Sequence, residues 1–217
     1  RQMCIRDRSK LQDVENAVVS GKSKLVAGLV QEALDEGCSA PDILNGMINA
    51  MGIVGERFKK NEIFVPEMLV AARAMKKGVD VLKPHLASGS AGVCGKAIIG
   101  TVAGDLHDIG KNLVAMMIES AGFEVIDLGV DVPVEKFIET VKANPDVKIV
   151  GCSALLTTTM PALKSTVEAL NSEDFRSHIK VMVGGAPITQ EFADEIGADA
   201  YTPDAASAAQ KAKELVA

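Results

Sequence analysis

The run Ala97-Ile98-Ile99-Gly100-Thr101-Val102-Ala103, then Gly104-Asp105-Leu106-His107-Asp108-Ile109-Gly110-Lys111-Asn112, then Leu113-Val114-Ala115-Met116-Met117-Ile118, decides the architecture of this chain. The first part is a short continuous apolar run, the pattern of a strand buried on both faces. The last part reads as a helix. Between them, a histidine with an aspartate on either side sits in a strand-to-helix loop. In open α/β sheets that is where ligands bind. A neutral imidazole with a carboxylate behind it is also the usual way to present a nitrogen to a metal.

Downstream of this unit the same grammar repeats. Strands are expected near 96–103, 123–127, 147–152, 179–183 and 198–201, and helices near 110–121, 133–143, 159–171, 188–196 and 204–216. Such alternation predicts an α/β domain with a parallel sheet covered on both faces. Five strands fit a flavodoxin-like, Rossmann-like doubly wound domain over 96–217. In that order the first and third strands are neighbours, and their carboxyl ends form the switch-point crevice.

Upstream the pattern is helical only. Leu11, Val14, Ala17 and Val18 share one helical face that ends at Gly21, and Leu25, Leu29 and Ala33 share another that ends at Gly37. Ser39-Ala40-Pro41-Asp42 is a helix start with Pro near the first position. Ile43, Leu44, Met47, Ile48, Met51 and Val54 come next on one face. Asn61 to Pro66 breaks the chain, and Glu67 to Leu82 forms the fourth helix, with Met68, Leu69, Ala72, Met75 and Val79 inward. Residues 9–86 are thus expected to form a four-helix bundle. Residues 87–95, small and flexible by composition, read as a linker. Residues 1–8 share no period with the helical pattern after them and read as a non-native or disordered leader, with Ser9 as the N-cap of the first helix.

Composition narrows the functional classes. The 217 residues are 47% hydrophobic and 24% charged but only 3% aromatic, so the cores must be built from Ala, Val, Leu, Ile and Met. A net charge of −6 argues against a nucleic-acid partner, which needs a basic face. The chain has no apolar run long enough to span a bilayer and shows no export signal. Cys4, Cys38, Cys94 and Cys152 form no C-x-x-C pair, which fits free thiols in a reducing cytoplasm.

Three segments should meet at the strand ends: the loop with Asp105, His107 and Gly110; Ser153-Ala154-Leu155-Leu156-Thr157-Thr158-Thr159; and Gly184-Gly185-Ala186-Pro187. Asp105 can accept the second imidazole N–H of His107, fix its tautomer and raise its basicity. Gly110 allows a ligand to approach the backbone. The threonines offer hydroxyls in an otherwise apolar crevice, and Gly184-Gly185 leaves room for a flat or bulky group. Each segment also has a bland explanation: a solvated histidine, turn glycines, threonines starting a helix. Their coincidence at one sheet edge favours a site, but spacing alone does not name the ligand.

Asp105-x-His107-x-x-Gly110, Ser153-x-Leu155 and Gly184-Gly185, at these intervals, resemble the cobalamin-binding signature of B12-dependent methyltransferases and mutases, including the B12-binding region of cobalamin-dependent methionine synthase. Gly55-Glu56-Arg57-Phe58 and Glu62-Ile63-Phe64-Val65-Pro66-Glu67-Met68 resemble the helical cap of methyltransferase-type corrinoid proteins. Together they resemble the small corrinoid proteins of anaerobic methyltransferase systems, which act on methanol, methylamines, betaines or aryl methyl ethers.

The resemblance implies a methyl carrier rather than a complete enzyme. His107 would displace the cofactor's own benzimidazole and become the lower cobalt ligand, giving a base-off, His-on corrinoid. Asp105 matches its hydrogen-bonding carboxylate. Thr159 matches a hydroxyl that continues the relay, where some relatives have Ser. Ser153 and Leu155 would line the pocket for the displaced tail, with Thr157 nearby and Gly184 and Gly185 beside it. Asp108 and Lys111 receive no chemistry. Cob(I)alamin would take a methyl from a substrate held by one methyltransferase, and methylcob(III)alamin would give it to a second, with a tetrahydrofolate or thiol acceptor. A reductive activase is a further expected partner; neither nucleic acid nor membrane is. The helical half would act as a lid over the upper cobalt face, with Phe64, Val65, Met68 and Leu69 as candidates for the cover. A mutase subunit and a B12-binding regulator share the histidine motif, but the first needs a substrate barrel and the second a DNA-reading module. The other histidines, His85 and His178, fall in unrelated places, against a closed His cluster.

Overall fold

The helix-start signals of the amino-terminal half are used largely where the sequence places them. The computed structural model describes residues 5–86 and 94–217, with side chains in the first helix from Lys10 onward. The helices are α1 (Ile5–Val19), α2 (Ser23–Asp35), α3 (Ala40–Lys59) and α4 (Val65–Leu82). Ser39 caps α3, its hydroxyl accepting the Asp42 N–H at 3.2 Å. α4 begins two residues earlier than Glu67: Pro66 sits in its first turn, and the Glu67 carboxylate reaches back to the Phe64 N–H at 3.1 Å. Helix α1 starts at Ile5, so Ser9 lies inside it and does not cap it. Residues 1–4 lie outside the described residues, and so do 87–93 of the expected linker, while Gly95 already belongs to the first strand.

α1 packs on α2 and α3, and α4 packs on the same two helices. Their core is Ala, Val, Ile, Leu and Met, as the scarcity of aromatics demands; Met47, Met68 and Met75 are essentially inaccessible. Met68 is therefore a core residue and not available to cover a ligand. Leu69 is half-buried, whereas Phe64 and Val65 are exposed.

The described residues after 93 form a second compact unit. It contains β1 (Gly95–Val102), α5 (Ile109–Ser120), β2 (Phe123–Val132), α6 (Val134–Ala143), β3 (Val147–Ser153), α7 (Met160–Asn171), β4 (Lys180–Gly184), α8 (Gln190–Glu195), β5 (Ala200–Tyr201) and α9 (Ala205–Val216). All strand pairs are parallel, in the order β2-β1-β3-β4-β5. Alternate residues serve opposite faces. Ile98 and Val150 join Phe137 of α6 and Leu163 of α7 in one core, while Ile99 and Gly151 face Val114 of α5 and Ala205 of α9.

Strand β2 is five residues longer than the apolar run 123–127 suggests. Leu128-Gly129 looks like a turn in sequence. In the structure it is a bulge: Ile99 pairs with Asp127, but Gly100 pairs with Gly129 and Val102 with Val132. The extra residues let the strand continue past the bulge to the edge of the site.

The switch point lies between β1 and β3. Next to it, the ends of β3 and β4 close tightly. The Ala154 N–H donates to the Gly184 carbonyl at 3.1 Å. Gly185 has φ of +135°, and a Cβ there would lie 1.8 Å from the Ala154 carbonyl oxygen. Only glycine satisfies both the conformation and the approach. Gly185→Ala should therefore lower stability by about 2–4 kcal/mol through backbone strain and steric overlap. Urea denaturation checks this; an unchanged midpoint would show that the two strand ends move apart freely.

Candidate functional site

The loop after β1 folds around the Asp105 side chain, which is fully buried. Its Oδ1 accepts the His107 backbone N–H at 3.1 Å and lies 2.7 Å from the His107 Nδ1. Its Oδ2 accepts the Leu155 N–H at 2.7 Å and the Thr159 hydroxyl at 2.8 Å. One carboxylate thus ties the loop after β1 to the loop after β3, the two neighbours at the switch point. The loop is also held from outside. The Thr101 hydroxyl donates to the His107 carbonyl at 2.9 Å. The Gly104 N–H donates to Asp131 Oδ1 at 2.7 Å, and the Asp131 N–H donates to the Asp105 carbonyl at 2.9 Å.

Burial by itself pushes the Asp105 carboxyl up, but the hydrogen bonds from the Leu155 N–H, the His107 ring, the His107 N–H and the Thr159 hydroxyl outweigh it. Together they hold the group well below the usual carboxylate range. An ionised carboxylate is an acceptor only. The His107 proton is therefore assigned to Nδ1, from the hydrogen-bond network, and the Nε2 lone pair is left on the opposite edge of the ring. The His107 side chain is 49% exposed, so that nitrogen is reachable from outside.

The surroundings of His107 are unusual. Among the described residues of this unit, the exposed large hydrophobic side chains are Leu106, Ile109, Leu155 and Leu156. Three lie on the two loops that Asp105 joins, and Ile109 is the first residue of α5. Leu106 and Ile109 are 71% and 85% exposed, which costs solvation free energy unless a large apolar partner covers them. Beneath this collar a cleft opens between the sheet, α5 and α9, with an empty volume of ≈ 620 Å³ including its open mouth. Ile99, Val114, Ile118 and Met182 make it apolar, and Gly110, Ser153, Gly184 and Gly185 line it too. The lining carboxylate of Asp204 is engaged in capping α9, accepting the Ser207 N–H at 2.8 Å and hydroxyl at 2.7 Å.

The expected residues therefore divide into two sets. Asp105, His107, Thr159 and the backbone of Leu155 form one hydrogen-bonded cluster, while Gly110, Ser153, Gly184 and Gly185 form the cleft. Thr157 is exposed in the short 3-10 turn 157–159 and is not among the groups that hold Asp105. Asp108 stands at the N-cap of α5 and accepts a 3.2 Å bond from the Asn112 amide, an ordinary helix-start role. Asp131 and Thr101 were not visible in the sequence as site residues, because a hydroxyl and a carboxylate within strands carry no local signal. Lys111 did carry one: it stands at helical spacing from Val114 and Ile118, on the inward face of α5, and it is buried.

A fold of this order with a half-exposed, carboxylate-backed histidine above an apolar cleft defines a B12-binding protein. The family description "B12 binding domain" matches residues 95–211, and a second B12 binding domain description matches residues 10–83. The chain belongs to this family and, within it, to the small corrinoid proteins of methyltransferase systems. It is 46% identical to the dimethylamine corrinoid protein of Methanosarcina barkeri, over 95% of this chain and 97% of that one. Two solved structures resemble it over nearly its full length. A cobalamin-binding protein from Desulfitobacterium hafniense matches with a TM-score of 0.81 at 32% identity, covering 95% of this chain and 98% of that one. A chain of the methanol:cobalamin methyltransferase complex of Methanosarcina barkeri matches with a TM-score of 0.82 at 27% identity, covering 96% and 80%.

The donor set fits such a cofactor. Among the described residues no cluster of three or more His, Cys, Asp or Glu side chains could hold a bare metal ion. A single imidazole suits an ion whose other positions are filled by a macrocycle. The carboxylate can be tested without any cofactor. Asp105 has a folded pKa below its unfolded value, so its contribution to stability is present above the unfolded value of about 3.9 and is lost as pH falls through the folded one. The stability advantage of the wild type over Asp105→Asn should shrink as pH falls below about 4. Denaturation of both proteins between about pH 4 and about pH 2 checks this; an advantage that stays level or grows over that interval would contradict it.

Proposed function

We propose that this chain is a corrinoid methyl carrier in which His107 Nε2 is the lower axial ligand of cobalt and the displaced nucleotide tail occupies the cleft beneath the collar. The observation that carries this reading is the half-exposed His107 on a buried, ionised Asp105, ringed by exposed Leu106, Ile109, Leu155 and Leu156. Bound there, the corrinoid supplies the methyl-transfer chemistry, accepting a methyl group on cobalt and giving it up again.

The protein's own part is to set the lower ligand. Asp105 holds the Nδ1 proton, keeps Nε2 free for the metal and increases its donor strength. Thr159 and the Leu155 N–H satisfy the other carboxylate oxygen, so the charge stays fixed as the ring engages or releases. The apolar cleft excludes water from the tail. The helical unit, from its resemblance to the cap of corrinoid proteins, is proposed as the cover for the upper face.

The partners are a substrate-specific corrinoid methyltransferase, a second methyltransferase with a tetrahydrofolate or thiol acceptor, and a reductive activase. Similarity to a dimethylamine corrinoid protein favours a methylamine donor system. The helical cover must swing aside when either methyltransferase docks. Such a carrier is expected to act in the cytoplasm; among the described residues no helix is long and apolar enough to cross a membrane.

Reconstituted wild type should give the absorption spectrum of base-off cobalamin with histidine bound, and His107→Ala should lose the histidine-bound form. Failure of the wild type to bind cobalamin would end the reading. Methyl transfer should then be strongest with a dimethylamine methyltransferase among methylamine, methanol, betaine and methoxyaryl partners. A covalent cross-link between the two units should abolish transfer while leaving cobalamin bound; transfer that survives the cross-link would remove the moving-cover part of the proposal.

A further inference from the structure

Lys111 is an ionisable side chain buried in the carboxyl-terminal unit. Its side chain is 2% exposed. It stands in the first turn of α5, the positive end of the helix, where a cation is disfavoured. It also lines the apolar cleft. An ammonium buried in such a place needs a close partner. Lys111 has one: its Nζ donates to both oxygens of Asp127 on β2, at 2.6 and 2.5 Å.

Asp127 is itself at a special position. It is the last residue of β2 in register with β1 before the bulge. Its Oδ1 accepts the Gly129 N–H at 2.8 Å, so the carboxylate stabilises the bulge from within. The bulge carries the strand on to Asp131, which has a left-handed φ of 53°. Asp131 in turn grips the backbone on either side of the Gly104–Asp105 peptide, accepting from the Gly104 N–H and donating to the Asp105 carbonyl. The His107 loop is therefore held at both ends from one strand. Lys111–Asp127 fixes its exit into α5, and Asp131 fixes its entry from β1.

We propose that Lys111 and Asp127 are positioning residues for His107: their ion pair, between a buried ammonium and a carboxylate at the surface, locks the β2 bulge and the first turn of α5 together and so sets the placement of the imidazole and of Asp105. The pair acts through the loop rather than on the ligand. The role of His107 as cobalt ligand rests on the proposed function, but the placement itself exists in the corrinoid-free protein and is measurable there.

The test is amide hydrogen exchange on the corrinoid-free protein, read at the His107 and Leu155 N–H groups, which both donate to Asp105. Rates are taken relative to Val150 in the middle of β3. In Lys111→Met and Asp127→Asn the two amides should exchange about tenfold faster relative to Val150. The double variant Lys111→Met, Asp127→Leu removes the unpaired charge and should recover stability while exchange stays fast. Arg176→Met serves as a control: it breaks the 2.8 Å pair with Asp199, which precedes β5 at the opposite edge of the sheet, and should lower stability without changing the ratio. Unchanged ratios in the single variants would overturn the proposal, as would a double variant whose ratio returns to that of wild type, since the pair would then matter to stability alone. In a second arm, cobalamin added to Lys111→Met should be retained with a reduced share of the histidine-bound spectrum. Loss of binding with normal exchange would mean that Lys111 acts directly on the tail, and would also overturn the proposal. A wild type that binds no cobalamin would end the functional reading while leaving the exchange result to stand or fall by itself.

Discussion

The buried Asp105 carboxylate is the interaction on which the carboxyl-terminal unit's site depends. It accepts two backbone N–H groups, one imidazole N–H and one hydroxyl, from both loops at the switch point. A buried carboxylate without those donors would be strongly unfavourable, so the four bonds must form together or the charge must be lost. That coupling makes the site all-or-none. Any displacement of the 153–159 loop removes the Leu155 and Thr159 donors and weakens the hold on His107 at the same time.

The fold provides the distance and the rigidity this interaction requires. Neighbouring β1 and β3 bring Asp105 within hydrogen-bond reach of a residue fifty positions later. The approach of β3 and β4 at Ala154 and Gly185 then leaves no slack in the 153–156 segment. On the other side, the bulge in β2 brings Asp131 to the loop from behind. The exposed apolar collar is the counterpart of this rigidity. Side chains such as Ile109 are left in water by loops that have no freedom to fold them inward, which suits a surface awaiting a large flat partner.

Much of this was legible in the chain. Alternating apolar runs and helical faces specified five parallel strands and their helices, because fully buried strands and two-sided coverage leave a strong periodic mark. The Asp-x-His pair marked the site for a simple reason: a two-residue spacing lets a side chain cap the same loop that presents the imidazole. Thr159 was identifiable only through family resemblance, since its partner is distant in sequence. The bulge was not legible, because the apolar run was followed only to residue 127 and the continuation of the strand is decided by pairing with β1. Asp131 and Thr101 were silent for the same reason: their roles are hydrogen bonds to backbone across the loop. Met68 was expected on the inward face of the fourth helix and was also a candidate for the cover; it lies in the helical core. The start of α1 at Ile5 rather than at Ser9 reflects a helix that extends without a local stop signal.

The arrangement also explains why one histidine is enough. A protein that binds a bare metal ion must assemble several ligands and satisfy each of them. Here a single imidazole is supplied, and the remaining effort goes into its orientation: a carboxylate that fixes the tautomer, a hydroxyl and an amide that fix the carboxylate, and an outer carboxylate and hydroxyl that fix the backbone on either side. For a methyl carrier this is a useful distribution. On the proposed function the bond to the metal would form and break in each cycle, so strength would matter less than returning to the same geometry each time. A half-exposed ring held by buried, fully satisfied partners provides that: the nitrogen is free to engage or let go, while every group that aims it stays in place.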